Sequence, residues 1–344
     1  MKFATYSDGS RDGELLLVSR DLQTAVFTAG IASRLQQVLD DWNFLAPQLQ
    51  ALYTALNQGR ASRAFAFEPA RCMAPMPRVH DLAELVCTQG LWQAQPVPGA
   101  RIQGPVQAVW TGASLGASSG AAANEPAVRP RRKAAAQTSP EAVAAVRAPG
   151  VLSAQLGWAA VLGEVPRAAS PEQCLESVRL LLAAQRWTAG GDDRCLTLSC
   201  APIALTPDEW GDDWQRGRFK ARVVLSVDGK RLPPAKQATA LEGPAAEEWA
   251  LGLARACRLH DLGPGTVLWV GLEGAWPVLE HLDGDSALQW SYCTSQGLPG
   301  FGVCAPPVDP RPAALQTLTD ESALVEDPAT DPQQEADPHA QSSD

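Results

Sequence analysis

The densest group of metal-capable side chains lies in GLEGAWPVLEHLDGDS, which carries Glu273, Glu280, His281, Asp283 and Asp285. Hard cations take such oxygen donors, but the spacing lacks the ligand order of a calcium loop. Asp-Gly-Asp also has the composition of a surface turn, which is the reading adopted. Cys195 and Cys200 have no second pair at zinc-finger spacing and read as buried thiols. His260-Asp261 has the composition of a pair that orients a nucleophile, but neither a Gly-x-Ser-x-Gly elbow nor a Cys-His pair accompanies it. The glycines form no phosphate-binding pattern. A different kind of signal comes from LSAQLGWAAVLGEV at 152–165, a strand-like apolar run interrupted by one polar side chain, Gln155.

These residues need elements to hold them. Residues 2–30 alternate in short strand-like runs, with Asp8-Gly9 and Asp12-Gly13 as turn signals, and predict a small hairpin sheet. From Ile31 the period changes. Leu35, Val38, Leu39 and Trp42, then Leu49, Leu52, Tyr53 and Leu56, predict two amphipathic helices, the second opened by Pro47. Further on, the sequence predicts a helix at 171–186 (PEQCLESVRLLLAAQR) and a short one at LAELV. A strand follows with a hairpin at Asp228-Gly229 in RFKARVVLSVDGKRL, then a helix near 245–258 and a strand in GTVLWVGLEG.

Residues 111–150 are rich in Ala, Gly, Ser and Pro and nearly free of large apolar side chains, which predicts a disordered insert. Its Arg129, Arg131, Arg132 and Lys133 read as a solvated charge run. The segment 305–344 holds nine acids and one arginine, so −8 of the net charge of −10 sits in an acidic tail and the body is close to neutral, at −2. That balance gives no electrostatic footprint for nucleic acid. No run approaches the roughly 18 apolar residues of a membrane span. The start MKFATYSDGS lacks a signal-peptide pattern, and the eight cysteines are scattered without a CxxC pair. Together these predict a cytoplasmic protein with reduced thiols, no nucleic-acid partner and no membrane partner.

The order and spacing of DGSRDGELLLVSRDL, RCMAPMPR, LGEVP, SCAPIALTPDEWGDDWQRGR and SVDGK resemble bacterial members of the fumarylacetoacetate hydrolase family. The resemblance implies an α+β fold: a small N-terminal β/α domain, then a C-terminal domain of rolled mixed β-sheets, usually dimeric. The corresponding division is 1–80 N-terminal domain, 81–110 connecting segment, 111–150 insert, 151–304 β domain and 305–344 tail. It also implies a Mg²⁺ or Ca²⁺ ion that chelates two substrate oxygens beside a diketone or keto-acid carbonyl, as a Lewis acid.

This sequence departs from that family's site at five positions. Anchored on VLGEV, the Glu-x-Glu that would ligate the metal from one face of a strand becomes Gln155 and Gly157. Glu164, the nearest acid, lies an odd number of positions away and past Gly163. The aspartate ligand of an Asn-Asp pair becomes Arg186, after Gln185. At about 4 Å and an effective dielectric near 20, a guanidinium facing a divalent ion costs roughly 8 kcal/mol. The family lysine aligns with Cys195 and a late glutamate with Gln296, and PMPRVHDLAELV is too short for the family's histidine segment, leaving only His80 and Asp81 nearby. The expectation is a catalytically degenerate protein with no cofactor and a binding or structural role. Arg186 would receive a small keto-acid, and the chain would form a homodimer or pair with an intact homologue. The alternative is an active metal-dependent hydrolase or isomerase whose site is rebuilt from His80, Asp81 or the acids at 280–285.

Overall fold

The computed structural model describes residues 1–79, 81–97, 101–104, 152–189, 197–215, 217–227, 230–231, 241–242, 244–271 and 288–304. The insert 111–150, the tail 305–344, His80, Cys195, the turn pair Asp228-Gly229 and the acids and histidine of 273–285 lie outside the described residues.

The chain opens with three antiparallel strands, β1 (Lys2–Tyr6), β2 (Glu14–Val18) and β3 (Thr24–Phe27). The turn signals act as expected. Gly13 adopts φ 62°, and a Cβ there would lie 2.5 Å from both Thr5 Cγ2 and the Tyr6 carbonyl oxygen, so the β1–β2 connection requires glycine. Helices α1 (Leu35–Asp40) and α2 (Trp42–Asn57) follow. Leu49, Tyr53 and Leu56 of α2 pack with Phe3, Leu15, Leu17 and Val26 of the strands, the stripe that the apolar spacing encodes. The second helix starts five residues earlier than expected, and Pro47 lies inside it. Proline there removes the amide donor that would bond the Asn43 carbonyl, and both residues lie on the exposed side of the helix.

Strand β4 (Phe65–Ala66) closes this edge on β3. Strands β5 (Leu82–Thr88) and β6 (Leu91–Pro96) form a hairpin, so LAELV is extended, not helical. Only Leu85 of it reaches the core, and its backbone pairs on both sides, which outweighs the helix propensity of Leu, Ala and Glu. Strands β7 (Arg101–Gln103) and β8 (Leu152–Leu162) come next.

Helix α3 (Pro171–Glu176) is capped by Ser170, whose Oγ accepts from the Gln173 amide at 3.3 Å while Gln173 Oε1 accepts from the Ser170 amide at 2.8 Å. It ends after six residues, and Val178–Ala189 is a strand, β9, in place of the helix expected through residue 186. Leu181 and Ala183 are buried in one core cluster, Leu180, Leu182 and Ala184 in another. A strand covered on both faces shows no polar alternation, so its run of apolar residues reads equally as helix.

Strand β10 (Thr197–Leu205) leads through a 3₁₀ segment to β11 (Trp214–Gln215), β12 (Arg218–Val227), β13 (Lys230–Arg231) and β14 (Leu241–Glu242). The hairpin expected at Asp228-Gly229 is paired on either side, Val227 with Lys230. Helix α4 (Ala246–Ala256) and strands β15 (Val267–Gly271), β16 (Leu288–Cys293) and β17 (Pro299–Cys304) complete the described chain.

Two sheets result, the larger mixed and the smaller antiparallel. The larger runs β4-β3-β2-β1-β10-β9-β8-β15-β5-β6, with β7 also on β10. Its β5–β15 and β7–β10 pairs are parallel. The smaller runs β11-β12-β16-β17. Trp158, Ala160, Leu181 and Ala183 of the larger sheet pack with Phe219, Val223, Tyr292 and Phe301 of the smaller, while its opposite face carries the helix α2 cluster. The rolled, sheet-dominated α+β architecture expected from the sequence is the one observed.

Candidate functional site

Antiparallel register decides which of the substituted positions meet. On β8 and β9, Gln155 stands directly opposite Arg186, and Gly157 opposite Ala184. On the other side of β8, Gly157 faces Gly271, and Ala159 faces Trp269 of β15. Trp269 in turn pairs with Glu84 of β5. Because side chains alternate along a strand, Gln155, Gly157, Arg186, Trp269 and Glu84 all lie on the face that carries Ala159, Val161, Leu182 and Ala184. Four neighbouring strands therefore bring them to one patch.

At its centre is an ion pair. Arg186 Nε lies 3.1 Å from Glu84 Oε1, and each side chain keeps only 15% of its surface exposed. The guanidinium carbon stands 5.8 Å from the centroid of the Trp269 ring, within reach of the ring's negative face. Burial disfavours the Glu84 carboxylate and raises its proton affinity above the usual glutamate range, against the opposing pull of Arg186.

The indole of Trp269 covers Gly157. A Cβ on that glycine would lie 2.7 Å from Trp269 Nε1 and 2.5 Å from the Val270 carbonyl oxygen. The place where a side chain at 157 would start is thus filled by an aromatic ring. Trp269 is 3% exposed, and its buried indole nitrogen has no hydrogen-bond partner among the described residues. Gln155 is exposed at the strand end, with Nε2 2.7 Å from where a Cβ on Gly271 would be.

The register thus brings Gln155, Gly157 and Arg186 together. Gln296 stands apart, exposed in the turn between β16 and β17, and Cys195 lies outside the described residues. Asp81 is exposed, its carbonyl accepting from the Val267 amide at 2.9 Å. Glu164 is exposed beyond the end of β8, and His260 and Asp261 are exposed as well. Cys200 is buried within β10, and six cysteines among the described residues are free thiols. The alignment missed Glu84 and Trp269. A lone acid in an otherwise apolar LAELV was the available signal for Glu84, and reading that stretch as helix hid which side it faces.

Two clefts open elsewhere, on the α2 side. One of about 430 Å³ is lined by residues that include Trp42, Gln50, Arg179 and Asp208; the other, of about 380 Å³, shares Trp42 and Arg179 and adds Asp41 and Glu164. Neither contains Gln155, Arg186 or Glu84.

Residues 1–78 match the family described as fumarylacetoacetase N-terminal domain 2. Among solved structures, the chain is similar to maleylpyruvate hydrolase from Sphingobium sp. SYK-6 in complex with manganese(II) and pyruvate. The identity is 15% and the TM-score 0.54, over 89% of this chain and 98% of that one. It is also similar to a probable 2-hydroxyhepta-2,4-diene-1,7-dioate isomerase from Mycobacterium abscessus, at 14% identity and TM-score 0.53, over 89% and 98% of the two chains. Among curated proteins none matches. The family resemblance read from the sequence is borne out, by domain at the N-terminus and by fold over most of the chain.

A Mg²⁺ or Ca²⁺ ion needs carboxylate-rich oxygen coordination. Among the described residues the patch offers a carboxamide at 155, an indole over the bare backbone at 157 and a guanidinium at 186 that already engages the Glu84 carboxylate. These residues do not fit such an ion. Among the described residues, no three His, Cys, Asp or Glu side chains gather as a candidate metal cluster, and no helix is long and apolar enough to cross a membrane.

Proposed function

We propose that this chain is a fumarylacetoacetase-like pseudoenzyme: it keeps the scaffold, replaces the metal-dependent chemistry, and serves by binding. Its ligand is a small keto-acid held at Arg186, and its assembly is a pair with a second copy or with an intact homologue. The observation that carries this reading is the Arg186–Glu84 ion pair at 3.1 Å, on the strand position opposite Gln155. A fixed guanidinium supplies the positive charge at that point of the sheet, and a divalent ion beside it would be repelled. The capping of Gly157 by Trp269 supports the same reading, because it fills the start of the second ligand position.

The test is metal binding together with turnover. Calorimetric titration of the full chain with Mn²⁺ and Mg²⁺ is expected to show no stoichiometric binding, and acylpyruvate absorbance is expected to persist in its presence. The variant Gln155→Glu with Arg186→Asp, which leaves Gly157 bare under the Val270 carbonyl and sets two carboxylates beside Glu84, is expected to gain Mn²⁺ binding. One tightly bound metal per native chain, with loss of the diketone absorbance, would overturn the proposal in favour of a rebuilt site.

A further inference from the structure

We infer that Glu84 is a built-in substitute ligand: Arg186, Trp269 and Gln155 form a site for one small monocarboxylate, which binds by displacing the Glu84 carboxylate from the guanidinium. This rests on the reading above that the patch binds and does not react, and it adds how the site is kept closed.

The donor set points to an oxygen anion. Arg186 supplies a planar, permanently charged fork suited to a carboxylate. Trp269 supplies an indole N–H that is buried and has no acceptor among the described residues, although a buried donor is normally satisfied. Gln155, exposed on the neighbouring strand, supplies a carboxamide at the entrance. Among the described residues Glu84 is the carboxylate placed with them, and it pairs with Arg186 at Nε. An oxygen anion able to choose its own orientation can also meet the Trp269 N–H.

The occupant is replaceable for a physical reason. Burial works against the charge of Glu84, so the carboxylate gains hydration when it swings outward, which offsets part of the lost ion pair. Arg186 remains positioned meanwhile, because its guanidinium also lies by the Trp269 ring.

Acetate and pyruvate are the probes, titrated calorimetrically into the full chain in chloride-free buffer, with thermal melts to confirm folding. Glu84→Gln keeps the shape of the residue and removes the competing charge. It is expected to bind pyruvate about tenfold more tightly than the native chain, the equivalent of one charge-assisted hydrogen bond regained. Adding Arg186→Gln to Glu84→Gln is expected to abolish binding, and adding Trp269→Phe, which removes only the N–H, to weaken it. Affinity in folded Glu84→Gln no higher than native, or binding that survives the loss of Arg186, would overturn the displacement. Stoichiometric Mn²⁺ binding by the native chain would instead defeat the pseudoenzyme reading, so the two failures are distinguishable.

Discussion

Two tryptophans on adjoining strands, Trp158 of β8 and Trp269 of β15, face opposite sides of the same sheet and live in different surroundings. Trp158 is fully buried among aromatic rings, stacked on Phe219 at 5.5 Å and edge-on to Trp214 and Trp249 at 5.2 and 5.8 Å. Trp269 lies over a glycine and beside a guanidinium that holds a carboxylate. On the first side the neighbours are apolar and the sheet is valued for volume. On the second, polar and charged groups gather at the strand ends, and there lie 155, 157 and 186, the positions to which the sequence resemblance pointed. Alternation along β8 lets the sequence at one face change while the packing at the other persists.

The largest expected effect breaks the comparison if it fails. Trp158→Ala should cost about 3–5 kcal/mol in urea denaturation, the usual range for removing a large aromatic from a packed core. Trp269→Ala should cost clearly less, because bare glycines line one side of its ring. Equal losses would mean that both faces are simply core.

Next is the ion pair. Arg186→Met leaves Glu84 largely buried without its cation and should cost up to about 3 kcal/mol, while Arg186→Met with Glu84→Leu should recover most of it. Equilibrium unfolding of both variants reads this directly. A double variant as unstable as the single one would show that the pair is not the unit being lost.

The smallest effect is a dependence on pH. Burial makes folded Glu84 hold its proton more tightly than the ordinary glutamate value of 4.5. The folded state then binds more protons than the unfolded one just above that value, so this residue's contribution is present below it and declines as pH rises through the raised folded value. Native stability relative to Glu84→Gln should therefore fall as pH rises above the ordinary glutamate value of 4.5. A flat or rising difference would place Glu84 in a different environment from the one described.

Much of the scaffold could be read from residue spacing. The connection between the first two strands carries the expected glycines, α1 and α2 carry a clear apolar stripe, and α4 and the β12–β13 pairing fall where expected. The two misread segments share a cause. β9 is covered on both faces and β5 is short and flanked on both sides, so neither shows the alternation that marks a half-buried strand. That error also reached the site. Gln155, Gly157 and Arg186 could be named from alignment, but the meeting of Arg186 with Glu84 depends on strand order across β9, β8, β15 and β5, which no local spacing encodes. The covering of Gly157 by Trp269 is likewise a fit between distant side chains, visible only once both strands are in place.

The junction of β1 with β10 sets a timetable for the chain. Lys2 pairs with Leu205, and Thr206 Oγ1 bonds the Met1 carbonyl across 205 positions of sequence. During synthesis, the first strand emerges long before its neighbour in the sheet exists. At about 5–20 residues per second, the nascent hairpin waits roughly 10–40 s with one edge unpaired. That interval is when the newborn protein is most open to edge-to-edge association, and it makes this a slow-folding topology dominated by distant contacts.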